Sequence, residues 1–273
     1  MKNQISKHRS LLLTAFLTLL TFGTVSAANS TLNHEDMVGV SFWLASAMML
    51  ASTVFFIMER NNVADKWKTS MTVAALVTGV AWYHYTYMRD HWANSYAAVA
   101  EDGTTGVGDS PLVLRYIDWL ITVPLQVSEF YLILAAVGVV SAALFWKLFG
   151  ASIIMLVAGF LGEAGHANAE LMLAIGVAAW LYIIYEIWAG DAKKSAESAS
   201  EGTQFAFRAM ALILTVGWAI YPIGYFFGNV LDNVDIDALN ILYNVADVVN
   251  KTAFGMMVWY AATMDTKASS SEE

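Results

Sequence analysis

Seven apolar segments punctuate the chain, at about 37–59, 69–88, 112–137, 141–162, 169–189, 204–228 and 236–264. Each is long enough for an α-helix to cross a bilayer core, which takes roughly 20 residues with some allowance for tilt. No water is present in that core to satisfy a free N–H or C=O, so such segments fold as helices and pack as a bundle. The expected fold class is all-α, a bundle of seven transmembrane helices. Composition supports this, since 58% of residues are hydrophobic and 14% charged, too few charges to cover a water-soluble domain. A formal charge of -9 argues against a nucleic-acid partner. The chain has no cysteine, which removes disulfide and thiolate chemistry. A metal site is not expected.

Ahead of the first segment, residues 1–27 have the layout of a secretory signal peptide. Lys2, Lys7 and Arg9 form a basic start, Leu11 to Phe22 a short apolar stretch, and Val25-Ser26-Ala27 a small-residue cleavage site. The expected organisation is a cleaved signal over 1–27, a seven-helix domain over 28–264 and a tail over 265–273. The connections alternate in charge. Arg60, Lys66, Lys68, Lys147, Lys193, Lys194, Arg208 and Lys267 fall on one set. Asp90, Glu101, Asp102, Asp109, Glu163, Glu170, Asp232, Asp235 and Asp237 fall on the other, with Arg89 as the basic exception. Positive charge marks the cytoplasmic side. The mature N-terminus is therefore expected outside and the C-terminus in the cytoplasm of a multi-pass protein of the cell (inner) membrane. The stretch from Arg89 to Pro111 is long, acidic and glycine-rich, and reads as a solvated outer cap.

The third segment contains RYIDWLITVPLQVSE, Arg115 to Glu129. A helix turns about 100° per residue, so relative to Asp118 the other polar residues fall close together: Glu129 at about 20°, Thr122 at about 40°, Arg115 at about 60° and Gln126 at about 80°. They form a polar track inside a membrane helix. Asp118 and Glu129 are about 16 Å apart along the axis, roughly half the bilayer core. Arg115 lies on the outer side of Asp118, and Thr122, one turn inward, can reach its carboxyl. Glu129 sits among apolar neighbours with no cation on its helix face, and is expected neutral because burial disfavours the charged form.

The last segment reads YNVADVVNKTAFGMMVWY, with Asp247 and Lys251 four apart on one face. A lysine deep in a membrane costs about 2.5 kcal/mol or more unless it is paired, neutralised or used. Arg115, Lys251, Asp118 and Asp247 sum to zero charge, as a closed buried cluster should. Taken alone, this spacing fits a structural ion pair as well as a reactive lysine. In the sixth segment Trp218, Tyr221 and Tyr225 recur at helical spacing around Pro222, a pattern that serves core packing as readily as a cofactor box.

The stretch RYIDWLITVPLQVSEFYLIL resembles the third-helix signature RYxDWLxTxPL of the microbial rhodopsins, in the form carried by blue-absorbing proteorhodopsins, and the resemblance extends from about Val38 to about Thr263. It implies a retinal pocket inside the bundle. All-trans-retinal would be bound as a protonated Schiff base to Lys251, with Asp118 and Asp247 as counter-ions and Asp118 as proton acceptor once light re-aims the N–H. Glu129 matches the family's proton donor. His84, in WYHYTYMRD, matches a histidine that hydrogen-bonds the acceptor. Trp119, Trp180 in AAWLYIIY, and Trp218, Tyr221 and Tyr225 in GWAIYPIGY match pocket walls. Gln126 matches the position where glutamine accompanies blue and leucine green absorption. The resemblance also implies a homo-oligomer, pentamer or hexamer, in which Trp43 reaches His84 of a neighbouring subunit. It assigns no proton-release group.

The activity implied is a light-driven outward proton pump, a transporter and not an enzyme, with protons and membrane lipid as its partners. The alternative from another class is a photosensor signalling to a partner, which needs no donor carboxyl at Glu129. The family's sodium pumps carry asparagine, aspartate and glutamine where this chain has Asp118, Thr122 and Glu129. Its chloride pumps lack the acceptor carboxylate.

Overall fold

The computed structural model describes residues 32–101, 110–138 and 140–270. The signal peptide expected over 1–27 lies outside these residues. Helix α1 spans Met37–Glu59, α2 Lys68–Glu101, α3 Leu112–Val137, α4 Ala142–Glu163 and α5 Ala169–Trp188. A short α6, Asp191–Ala196, precedes α7, Glu201–Leu212, and α8, Ile220–Tyr225, which with π-helical turns at Ile213–Gly217 and Phe226–Val230 make the sixth crossing. The seventh is α9, Ile236–Val248, a π turn at Val249–Ala253, and α10, Phe254–Ser270. The described residues thus form a seven-helix membrane bundle.

Helix starts follow capping chemistry. Asp36, Ser141, Asn168, Ser200 and Asp235 each accept a hydrogen bond from a backbone N–H of the first turn, satisfying donors that have no partner inside the helix. At one end of the bundle, Lys66 pairs with Asp265 at 2.7 Å and Trp67 Nε1 donates to the same carboxylate, tying the α1–α2 connection to α10. Lys147 bridges Glu186 at 3.0 Å and Asp191 at 2.7 Å, tying the start of α4 to the turn after α5. This is the basic end. At the acidic end Trp92 Nε1 donates to Asp36, and Tyr225 donates to the Ala169 carbonyl.

One boundary differs from the sequence reading. The second segment was expected to close near residue 88, with Arg89 to Pro111 as a loop, yet α2 continues to Glu101. A helix leaving the bilayer needs only propensity and water, and Tyr96 to Glu101 contain no glycine or proline to stop it.

By length and composition, five helical segments among the described residues can cross a membrane: Met37–Glu59, Leu112–Val137, Ala142–Glu163, Ala169–Ala196 and Glu201–Val230. The second and seventh crossings are more polar because they present His84 and Tyr85, or Asn240, Asn244, Asp247 and Lys251, to the interior. Helix α3 runs through the centre. Its five arc residues, Arg115, Asp118, Thr122, Gln126 and Glu129, are at most 2% exposed, while Ile117 and Ile121 on the opposite side are above 40%. In water this pattern would be inside-out; in lipid it puts each group where its solvent is. Pro124 sits within α3, and the Ser128 hydroxyl donates to the Pro124 carbonyl at 2.6 Å.

Candidate functional site

Lys251 sits in the π turn between α9 and α10, 2% exposed. Its Nζ lies 2.8 Å from Asp247 Oδ2 and 3.1 Å from Asp118 Oδ2, so α3 and the seventh crossing meet through one cation and two carboxylates. The two acids are held very differently. Asp247 accepts from Tyr221 at 2.5 Å and from Tyr85 at 2.9 Å, with Trp119 Nε1 at 3.4 Å. Asp118 has Thr122 only at 3.5 Å, and its Oδ1 has no hydrogen-bond partner. Asp247 is thus a fixed charge in a full donor shell, and Asp118 a charge held chiefly by Lys251.

Two expected contacts with Asp118, from Thr122 and His84, are present at 3.5 Å, and each has a shorter rival. The short bond from Thr122 Oγ1 runs to the Asp118 backbone carbonyl at 2.9 Å, four residues back, as hydroxyls in helices commonly do. His84 Nδ1 lies 3.5 Å from Asp118 Oδ1 but 3.0 Å from the Val80 carbonyl. A carbonyl can only accept, so Val80 offers the nearer acceptor for an Nδ1 hydrogen, and the ring stands directly beside the Asp118 carboxylate. Trp43, expected to reach a neighbour's histidine, has the Arg89 guanidinium 3.9 Å above its ring.

Arg115 makes no ion pair with either aspartate. Its Nη2 donates to Asn240 at 2.9 Å and Asn244 at 2.7 Å, and Nη1 reaches the Tyr85 hydroxyl at 3.5 Å. Asparagine oxygens thus hold the guanidinium in the acidic half of the bundle. Sequence reasoning missed these partners, although Asn240, Asn244, Asp247 and Lys251 recur at helical spacing. It also missed Glu163, read only as a loop acid: Tyr116 donates to it at 2.7 Å, and it borders the central cavity.

Glu129 lies towards the basic end of α3, 1% exposed. Ser70 approaches the carboxyl, and among the described residues neither oxygen has a partner in good hydrogen-bonding geometry. Among the described residues no cation pairs with this acid.

A cavity runs from Lys251 between α3, α4, α5 and the sixth crossing. Trp119, Trp180, Trp218, Tyr221 and Tyr225 wall it, with Met155 and Gly159 further along. A Cβ on Gly159 would lie 2.9 Å from the Tyr116 hydroxyl, so this glycine is needed for close packing at the wall. Gln126 also faces the cavity, and its Nε2 donates to the Asn250 backbone carbonyl at 3.0 Å. That carbonyl is available because a π turn displaces the local bonding register. The length from α3 to α5, the flat apolar walls and a single amine at one end fit a long apolar aldehyde joined to Lys251.

Fold and site together define a class: a seven-helix membrane protein whose buried lysine, flanked by two carboxylates, closes one end of an aromatic cavity. Residues 36–264 match the bacteriorhodopsin-like protein family, and the chain belongs to it. It is 50% identical over 243 residues to the blue-light absorbing proteorhodopsin of Gamma-proteobacterium Hot 75m4, covering 88% of this chain and 92% of that one. To the green-light absorbing proteorhodopsin of Gamma-proteobacterium EBAC31A08 it is 49% identical over 244 residues, covering 89% and 93%. The crystal structure of a blue light-absorbing proteorhodopsin from Med12 superposes with a TM-score of 0.69 at 54% identity, covering 84% of this chain and all of that one.

Proposed function

We propose that the protein is a light-driven pump that carries protons outward across the cell membrane, with retinal held as a protonated Schiff base on Lys251. The observation that carries this is the position of Nζ between Asp118 and Asp247, with the unpartnered acid Glu129 on the same helix arc. Retinal, when bound, supplies visible absorption and an isomerisation that re-aims the N–H. The side chains do the rest. Asp247 keeps its charge because four groups point donors at it. Asp118 accepts the proton because little besides the Lys251 cation stabilises its charge. Glu129, isolated and buried, returns a proton from the other side. Arg115 compensates the paired carboxylates from the acidic half. Two acids of unlike surroundings on opposite sides of one base give transport a direction.

The basic end is assigned to the cytoplasm by the positive-inside rule, with the N-terminus outside after removal of residues 1–27. Lateral assembly into a pentamer or hexamer is supported by the exposed aromatics Trp43, Tyr83 and Tyr87 on α1 and α2. The sensory alternative finds no feature in its favour. Illumination of retinal-fed cells should acidify the medium, and a protonophore should abolish the signal. A coloured protein that leaves the pH unchanged would instead indicate a sensor.

Glu129→Gln should leave the dark pigment intact, because it replaces a neutral acid by a neutral amide away from Nζ. Reprotonation should slow at least tenfold and recover when a small permeant acid such as azide is added. A photocycle at the wild-type rate would remove Glu129 from the donor role.

Colour is assigned to Gln126, since overall identity to blue and green relatives is nearly equal. Its amide nitrogen is committed to the Asn250 carbonyl, so the dipole is fixed at the cavity wall. A fixed dipole acts unequally on a ground state with charge near nitrogen and an excited state with charge spread along the chain. Gln126→Leu should move the absorption maximum to longer wavelength while pumping survives. An unchanged spectrum in purified, retinal-saturated protein would return Gln126 to a packing role.

A further inference from the structure

Asn250, next to Lys251 and 2% exposed, joins three helical crossings. Its backbone carbonyl accepts from Gln126 of α3, and its Nδ2 donates to the Tyr221 hydroxyl of α8 at 3.2 Å. Its Oδ1 lies against Gly217, the last residue of the π turn one helical turn before Tyr221. A Cβ on Gly217 would stand 1.9 Å from that oxygen. The amide is therefore seated on bare backbone at one end and on a phenol oxygen at the other.

A phenol has a single hydrogen. With Asn250 occupying the acceptor side of Tyr221, that hydrogen is directed to Asp247 Oδ1, 2.5 Å away. A donor polarised by a bond to its own oxygen is also a stronger donor. We propose that Asn250 is a positioning residue of the light-driven reaction: seated on Gly217, it orients the Tyr221 hydroxyl and keeps Asp247 the fully satisfied carboxylate beside Lys251. This rests on the pump reading above and deepens it. Asn250 sets the inequality between Asp247 and Asp118, and Gly217 is the small residue that arrangement requires. Without Asn250, Tyr221 donates more weakly and Asp247 keeps more of its own charge next to the Schiff-base nitrogen. That favours the ground state and moves absorption to shorter wavelength.

The test compares purified, retinal-loaded wild type with Gly217→Ala, Asn250→Ala and the double variant. The readouts are the absorption maximum and the infrared C–O band of Tyr221, identified by its loss in Tyr221→Phe. Each single variant should move the maximum to shorter wavelength by several nanometres and displace the tyrosine band. The double variant should go no further than Asn250→Ala, because the Gly217 methyl acts by evicting the Asn250 amide. Shifts that add in the double variant, or a band and maximum unmoved by Asn250→Ala, would overturn the proposal. If Gly217→Ala fails to fold, Asn250→Leu, which keeps the volume and loses the amide, decides by the same two readouts. A wild type that forms no pigment would overturn the pump reading together with this inference, whereas an intact pigment indifferent to Asn250→Ala overturns the inference alone.

Discussion

Lys251→Ala should yield a protein that reaches the membrane and stays colourless when retinal is added. Among the described residues the other lysines lie outside the cavity, whose lining contains Lys251 alone of that type, so no other amine is placed to form the imine. The variant also strands two carboxylates. Removing one partner of a buried ionic group typically costs about 3–5 kcal/mol. Here Asp118 can take up a proton, since few donors oppose its neutralisation, and the loss should be partial. Two measurements separate a missing attachment point from a missing fold. Immunoblotting of membranes should find the variant at a level near wild type. Adding the imine of retinal with a small alkylamine should restore a visible band without a covalent bond, because the emptied lysine channel leaves room for the alkyl chain. A normal, covalently attached chromophore in Lys251→Ala would end the retinal assignment.

How much of this was legible beforehand depends on whether one helix or several were involved. The α3 arc was readable because a helix turns by a fixed angle, and Asp118, Thr122, Gln126 and Glu129 are all turned inward as that angle requires. The Asp247–Lys251 spacing was readable for the same reason. Which carboxylate would be well hydrogen-bonded was not, because the deciding hydroxyls, Tyr85 and Tyr221, come from two other crossings. The π turns at Ile213–Gly217 and Val249–Ala253 were also hidden. A one-residue register shift leaves no mark in the residue pattern, yet it frees the carbonyl that holds Gln126 and seats Asn250 on Gly217. The partners of Arg115 could have been found, since Asn240 and Asn244 continue the face defined by Asp247 and Lys251. The end of α2 was misjudged because polarity was read as loop, when it marks only where lipid stops.

Asp118→Asn should give a red-shifted pigment that pumps no protons at any pH. The carboxylate lies 3.1 Å from Nζ, and at an effective dielectric of about 20 such a pair is worth about 5 kcal/mol. That attraction favours the state with positive charge at the nitrogen. Excitation spreads the charge away, so removing the carboxylate raises the ground state more than the excited state and moves absorption to longer wavelength. The pigment should still form. Thr122 keeps its bond to the residue 118 carbonyl, and Asp247 remains beside Nζ with Tyr85, Tyr221 and Trp119 around it. Transport should fail because an amide cannot accept the proton and Asp247, held by those donors, does not take its place. Asp247→Asn provides the contrast. It leaves one acceptor oxygen for two tyrosines and an indole, where Asp118→Asn disturbs one threonine, so it should lower pigment yield and thermal stability more than Asp118→Asn does. Light-induced pH changes and denaturation midpoints, taken on both variants, separate the acceptor from the fixed counter-ion. Full transport by Asp118→Asn would show that another group accepts the proton.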